Sequence, residues 1–247
     1  MPAATSKVIL WYRTVNEIAE NISKVRDRIA AAAAACGRKP ENITLVAVSK
    51  NFNQDTISSA IAAGQSHFGE NRVQEAESKI PQFRSVPDLT WHMIGHLQSN
   101  KAQRAAELFD VVHSVDSIKL ARKLSQAALA IGKTLSVLIQ VDLGHEETKF
   151  GAERSQVVEI AAAIRPLGGL RLDGLMTIPP FFEDPERTRP YFVALRELRQ
   201  SLEQEQPGCL GRGQLSMGMS HDYEVAIQEG ATIVRVGTAI FGERSYG

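Results

Sequence analysis

Short apolar runs alternate with longer amphipathic stretches along most of this chain. Runs rich in β-branched residues predict strands, and the stretches between them have the three- and four-residue apolar spacing of helices. The predicted strands are residues 43–48, 66–69, 90–94, 110–114, 135–141, 169–176, 214–217 and 232–236. The predicted helices are residues 15–36, which end at Gly37, and then 54–63, 73–80, 100–108, 117–130, 153–164, 185–205 and 221–229.

Strands that alternate strictly with helices predict a parallel sheet, because a parallel connection needs a crossover helix. Eight such units in 247 residues are typical of a closed (β/α)8 TIM-type barrel. We expect one domain over residues 1–247, with the barrel at 43–241 and the N-terminal helix covering the gap left by a missing last helix. The alternative is an open doubly wound sheet, but the first turn, 48–51, lacks the glycine-rich pattern of that fold.

Composition and charge exclude several classes of protein. The 28 basic and 28 acidic side chains give a net charge of zero, so the basic excess of a nucleic-acid-binding protein is absent. Cys36 and Cys209 lie far apart without CxxC spacing, which predicts free thiols in a reducing compartment. The first apolar run ends at Arg13 and is too short for a signal peptide, so we expect a cytoplasmic protein that does not enter a membrane.

Chemistry in a barrel stands at the carboxyl ends of the strands, and Lys50 follows the first apolar strand almost directly. A lysine is costly there unless it is paired, solvated or used covalently. Desolvation favours the neutral form of an amine, which is the nucleophile that a Schiff base requires. The alternative is a lysine whose charged end reaches solvent at the barrel rim.

The loops after the seventh and eighth strands predict a phosphate site. Gly218 permits a tight turn between Ser216 and Ser220, and Ser220 is placed to cap the next helix. Gly237 and Thr238 make a second turn of small residues. Barrels commonly bind phosphate with these two loops, helped by a helix N-terminus. Serine caps and glycine turns are also ordinary structural features, and that interpretation stays open.

A Schiff-base lysine and a phosphate site together describe a ligand with an aldehyde and a phosphate, such as pyridoxal 5′-phosphate (PLP). Arg235 lies two residues before the second turn and is predicted to project inward from the eighth strand. A permanently charged guanidinium that faces the pyridine nitrogen keeps this nitrogen unprotonated and makes the ring a weak electron sink. The alternative is an ion pair between Arg235 and a carboxylate that fills the barrel.

Seven stretches of the chain resemble the signature blocks of the pyridoxal phosphate homeostasis protein family. They are AVSK (47–50), FGENRVQE (68–75), GHLQSNK (95–101), HSVDS (113–117), GLM (174–176), SMGMSHD (216–222) and VRVGTAIFG (234–242). The resemblance implies a barrel like the N-terminal domain of alanine racemases, with PLP covalently bound to Lys50 and Arg235 at the pyridine nitrogen. It also implies that the phosphate is held by Ser216, Gly218, Gly237 and Thr238. Asn71 and Met176 would line the cofactor.

Other polar motifs carry no predicted site. His92 and His96 straddle a strand end and its loop without an HExxH motif, so we do not expect a zinc site. His96 and Gln98 are left without a role, as is the segment 142–151. Within that segment, residues 145–147 are expected to form a solvated loop and not a carboxylate pair.

Two functions from different classes would use this pocket, a PLP-dependent racemase and a carrier that holds PLP without robust turnover. Alanine racemases take their second base, a tyrosine, from an added domain of the partner subunit, and we expect none here. Tyrosines stand only at positions 12, 191, 223 and 246, in helical or terminal segments. We therefore predict a monomeric carrier in vitamin B6 and amino-acid homeostasis, with PLP-dependent apo-enzymes as candidate recipients. A Schiff-base aldolase is a third candidate, which would need an acid–base carboxylate beside Lys50 and no arginine facing a pyridine ring.

Overall fold

The eight predicted strands close into a parallel barrel in sequence order, which confirms the predicted fold class. The computed structural model describes residues 3–144 and 150–242, with side chains from Asn16 onward. No strand bound differs from its prediction by more than two residues. The strands are β1 (Thr44–Val48), β2 (His67–Glu70), β3 (Thr90–Met93), β4 (Val111–Val115), β5 (Leu135–Gln140), β6 (Leu170–Met176), β7 (Gln214–Met219) and β8 (Ile233–Val236).

The helices occupy the predicted segments, and the main difference is at the N-terminus. The first helix begins at Ala3 and not near residue 15, because neither proline nor glycine interrupts the chain between Pro2 and Gly37. Short 3-10 turns stand where two helices were expected to begin, at Arg154–Gln156 and Pro185–Thr188. The helices are α1 (Ala3–Ala35), α2 (Gln54–Ala62), α3 (Val73–Lys79), α4 (Ala102–Leu108), α5 (Ile118–Ala130), α6 (Val157–Ile164), α7 (Arg189–Glu205), α8 (Tyr223–Gln228) and α9 (Thr238–Phe241).

Helix α1 covers the place of a full last helix, as expected. It packs against α2, α8 and the single turn of α9. Its buried residues Ile18, Ile22, Val25 and Ile29 recur at three- and four-residue intervals, so they form one apolar face. The Asn21 side chain also donates to the Ile240 carbonyl oxygen of α9 at 3.0 Å. None of the helices in the described part of the chain is long and apolar enough to cross a bilayer.

The interior of the barrel is only partly apolar. A large apolar core lies between the strands and the helices, and a separate small cluster inside the barrel contains Val46, Leu138, Met176 and Ile233. Branched apolar side chains usually fill a barrel interior. In this barrel, buried polar residues occupy much of the interior and extend toward the carboxyl ends of the strands. They include His92, His113, Ser216 and Arg235.

Candidate functional site

The barrel closure makes the first and last strand ends neighbours. Strand β1 pairs in parallel with β8, and Ala47 is level with Val236. Lys50 follows β1 and is half-buried, while Gly237 and Thr238 follow β8 directly. The predicted lysine and one predicted phosphate turn therefore leave adjacent strands at the same end of the barrel.

The backbone on both sides of Lys50 is held by charged side chains of α3. Lys79 donates from Nζ to the Ser49 carbonyl oxygen at 2.8 Å, and the Asn51 amide donates to Glu75 Oε1 at 2.5 Å. Lys79 and Glu75 also pair with each other at 2.6 Å. Asn51 has a φ of 67°, in the left-handed region that residues other than glycine rarely adopt. The ion pair therefore fixes the turn that carries Lys50.

Lys79 also forms a buried ion pair with Glu70, at 3.0 Å between Nζ and Oε1. The same carboxylate oxygen accepts from the Ser49 hydroxyl at 2.6 Å. Burial raises the pKa of Glu70, and the nearby charge of Lys79 opposes this rise. We call Lys79, Glu70 and Glu75 the Lys79 clamp. Sequence reasoning missed it, although the i,i+4 spacing of Glu75 and Lys79 was a visible signal.

The backbone turns tightly at Gly218, which lies inside β7 and not in the loop after the strand as predicted. Its φ is 91°, and a Cβ at this position would lie 2.6 Å from the Ala226 Cβ and 2.8 Å from the Tyr223 Cα. The pairing register between β7 and β8 shifts across this turn. After the turn, the half-buried Ser220 accepts from the Gly237 amide at 3.1 Å. The two predicted turns are thus joined by a hydroxyl and an amide.

Ser216 is predicted to hold the phosphate, and in the structure its hydroxyl contacts Arg235 and His113. It is fully buried inside the barrel, where its Oγ lies 2.5 Å from Arg235 Nη1 and 2.9 Å from His113 Nδ1. Ser220 does not cap a helix as expected, because α8 begins at Tyr223 and the Ser220 hydroxyl is bound to the second turn. The Ser216 hydroxyl therefore lies against Arg235, and the Ser220 hydroxyl lies against the Gly237 amide.

Arg235 is a buried cation that hydrogen-bonds to neutral groups. Its Nη1 donates to Ser216 Oγ at 2.5 Å and its Nη2 to the Thr177 carbonyl oxygen at 2.9 Å. Burial lowers its pKa to about 10, so it stays charged at neutral pH. In the described part of the chain, no carboxylate lies within ion-pair distance of it. The alternative of a barrel-filling ion pair is not observed among these residues.

Asn71 and Met176 provide an unpaired acceptor and an apolar surface. Asn71 Oδ1 is buried without a hydrogen-bond partner among the described residues. An unpaired buried acceptor costs about 1–3 kcal/mol, so a donor supplied by a ligand would stabilise this position. Gly95 packs closely on the Asn71 backbone, since a Cβ there would lie 2.3 Å from the Asn71 carbonyl oxygen. Met176 is fully buried in the apolar cluster inside the barrel.

The residues without a predicted role have other contacts. His96 stacks on Phe150 with ring centroids 3.7 Å apart, and its Nδ1 lies 3.5 Å from Asp116 Oδ2. His92 belongs to a different cluster inside the barrel. Among the described residues, no group of His, Cys, Asp and Glu side chains could hold a metal ion. Residues 145–147 and 246, which the sequence analysis named, lie outside the described residues, and both cysteines are free thiols.

Comparison with known proteins defines the class of this barrel. The family described as alanine racemase, N-terminal domain, matches residues 15–245. Solved alanine racemases share the fold. One from Corynebacterium glutamicum has a TM-score of 0.68 at 16% identity and covers 93% of this chain and 62% of its own. At that identity the similarity shows the fold alone.

More similar relatives define the branch. The chain is 45% identical over 234 residues to the pyridoxal phosphate homeostasis protein of Escherichia coli (strain K12), covering 94% of this chain and 99% of that protein. It is 40% identical to PipY of Synechococcus elongatus, solved with PLP bound, with a TM-score of 0.80 and coverage of 91% and 100%. The chain therefore belongs to the pyridoxal phosphate homeostasis proteins of the alanine racemase N-terminal-domain family.

Proposed function

We propose that this protein is a monomeric cytoplasmic carrier that holds PLP on Lys50 and makes it available to PLP-dependent apo-enzymes. The observation that carries the proposal is the pairing of β1 with β8, which sets Lys50 beside the Gly237–Thr238 turn with Arg235 on the same strand. The relative PipY has been solved with PLP bound, which supports the choice of ligand.

The residues present fit the chemistry of PLP. Lys50 supplies an amine for its aldehyde, and Ser220 and Thr238 supply hydroxyls for its phosphate beside the Gly237 amide. Arg235 supplies a permanent donor for the ring nitrogen, and the unpaired Asn71 Oδ1 accepts a further donor. When bound, PLP supplies an aldehyde that captures amines and a ring that withdraws electrons.

Within this proposal, two features of the chain disfavour racemisation. Arg235 remains protonated, so it would donate to a pyridine nitrogen beside it and would keep that nitrogen neutral, which weakens the ring as an electron sink. The Tyr223 side chain is buried in the core between strands and helices, with the Arg28 guanidinium over its ring. Its hydroxyl is buried, so it is not exposed to act as a second base.

A buried carboxylate, Glu70, contacts Ser49, the residue before Lys50, and a Schiff-base aldolase would require a carboxylate beside the lysine. Glu70 is tied by hydrogen bonds to Lys79 and to the Ser49 hydroxyl. Its charge is therefore used to hold the turn, and a mobile acid–base role would require both contacts to break. This arrangement favours the carrier over the aldolase.

The phosphate assignment can be tested by comparing PLP with pyridoxal, which has no phosphate. Ser220→Ala removes one hydrogen bond to a charged group, so we expect about 10- to 100-fold weaker PLP binding and little change for pyridoxal. Ser58→Ala, at an exposed serine of α2, is the matched control. Equal losses for both ligands would show that Ser220 contacts something other than the phosphate.

A further inference from the structure

Three histidines form a hydrogen-bonded chain through the interior of the barrel. His67 Nδ1 lies 3.0 Å from His92 Nε2, and His92 Nδ1 lies 2.8 Å from His113 Nε2. His113 Nδ1 lies 2.9 Å from Ser216 Oγ, which accepts from Arg235. We call His67, His92 and His113 the histidine chain. It crosses a region that apolar side chains usually fill.

The histidine chain is electrically neutral at ordinary pH. Burial lowers the pKa of His67, lowers that of His92 to about 3, and holds that of His113 well below its usual value, with the charge of Arg235 adding to the effect. A neutral imidazole has one donor nitrogen and one acceptor nitrogen. His92 and His113 use both nitrogens, so each donates to one neighbour and accepts from the other. The direction of one hydrogen bond therefore fixes the direction of all.

The geometry requires all three rings to carry their proton on the same-named nitrogen, because each link joins Nδ1 of one ring to Nε2 of the next. If the Ser216 hydroxyl donates to His113, all three rings are protonated at Nε2. If His113 donates to Ser216, all three are protonated at Nδ1. Arg235 can only donate, so in the second case the Ser216 hydrogen is released for another acceptor.

His67, the outer end of the histidine chain, borders a cavity at the amino-terminal end of the barrel. His67 is half-buried at the start of β2. The cavity has a volume of about 550 Å³, and its lining includes Arg26, Asp27, Glu41 and Gln65. The carboxyl ends of the strands, with Lys50, lie at the opposite end. The histidine chain therefore connects this cavity with Arg235 across the barrel.

We propose that His92 and His113 are positioning residues, which set the direction of the Ser216 hydroxyl and so orient Arg235, and that they couple this orientation to His67. Arg235 hydrogen-bonds to Ser216 and to the Thr177 carbonyl. Its orientation therefore depends on the Ser216 hydroxyl. A change at His67 reaches Arg235 through the three rings without movement of the backbone.

The tautomers can be read directly by two-bond ¹H–¹⁵N correlation spectra of the full chain labelled with ¹⁵N-histidine. We expect one shared tautomer for His67, His92 and His113, all neutral. We also expect Ser216→Ala to shift the ring signals of His67. Ser114→Ala, which removes a buried hydroxyl without a partner among the described residues, is the matched control and should leave His67 unchanged. Mixed tautomers in the unsubstituted protein would overturn the proposal. So would His67 ring signals that stay unchanged in Ser216→Ala.

A second experiment measures the effect on Arg235 through PLP binding. Because PLP is the probe, this experiment rests on the proposed function, whereas the tautomer experiment does not. His113→Leu removes the Ser216 partner, and we expect about fivefold weaker PLP binding, the equivalent of one ordinary hydrogen bond. His113→Asn keeps a polar group near the Nδ1 position and should recover most of that loss. If the His113→Leu and His113→Asn variants bind PLP equally well, the proposed positioning role is wrong. If PLP does not bind at all, the proposed function fails while the tautomer result stands.

Discussion

Lys79→Met tests whether the Lys79 clamp holds the turn of Lys50. The methionine keeps most of the side-chain volume but removes the ammonium group that contacts Ser49, Glu70 and Glu75. Glu70 is fully buried and Lys79 is 7% exposed, so solvent cannot replace the lost charge. Removal of one partner from a buried ion pair costs about 3–5 kcal/mol. We expect the free energy of unfolding in urea to fall by about that amount.

Lys24→Met is the matched control for this substitution. Lys24 and Glu20 also form an i,i+4 ion pair, but their atoms are 3.9 Å apart and both side chains are 71% exposed. An exposed pair of this kind contributes about 0.3–0.5 kcal/mol at most. Equal losses for Lys79→Met and Lys24→Met would refute the reasoning that burial makes the clamp strong.

The pH dependence gives the same prediction a second check. Lys79 opposes the burial that raises the pKa of Glu70, so its removal raises that pKa further. Folded Lys79→Met then binds a proton at Glu70 at pH values where the unfolded chain does not. Stability falls with rising pH wherever the folded state binds more protons. The deficit of Lys79→Met should therefore be smaller near pH 5 than at pH 8, and Glu70→Gln in the same chain should remove this difference.

Two further predictions concern the turn at Gly218 and the racemisation of alanine. Gly218→Ala combines a positive φ with a steric clash, so the free energy of unfolding in urea should fall by about 3 kcal/mol or more. Gly208 has a φ of 72° with open space around it, so Gly208→Ala should lower that free energy by about 1 kcal/mol. Equal losses would show that the Ala226 contact relaxes freely. L-alanine incubated with the PLP-loaded protein should yield no D-alanine by chiral chromatography, and turnover on the order of 1–10³ per second would make the protein a racemase.

The fold was predictable because the strands and helices have different apolar periods and each strand ends at a turn signal. The structure confirmed the predicted strand bounds to within two residues. The predicted start of α1 was wrong because amphipathic spacing is weak before residue 15, whereas the absence of proline and glycine lets the helix extend to Ala3.

The candidate site was less predictable where contacts join distant parts of the chain. The separate positions of Ser216 and Ser220 depend on the register shift between Ser216 and Met219, which the sequence does not show. The partnership of Lys79 with Glu70 depends on how α3 packs against the strand ends. Each histidine of the histidine chain looks isolated in sequence, and only barrel closure places His113 of β4 beside Ser216 of β7.

The central claim, that Lys50 holds PLP covalently, is tested most directly by borohydride reduction followed by peptide mapping. Reduction of the PLP-loaded protein should fix the pyridoxyl group on the peptide that contains Lys50. Lys50→Ala should lose the visible absorption band and the label while it keeps its circular dichroism spectrum, and Lys119→Ala, at an exposed lysine of α5, should keep both. A label on another lysine, with Lys50 unmodified, would contradict the account.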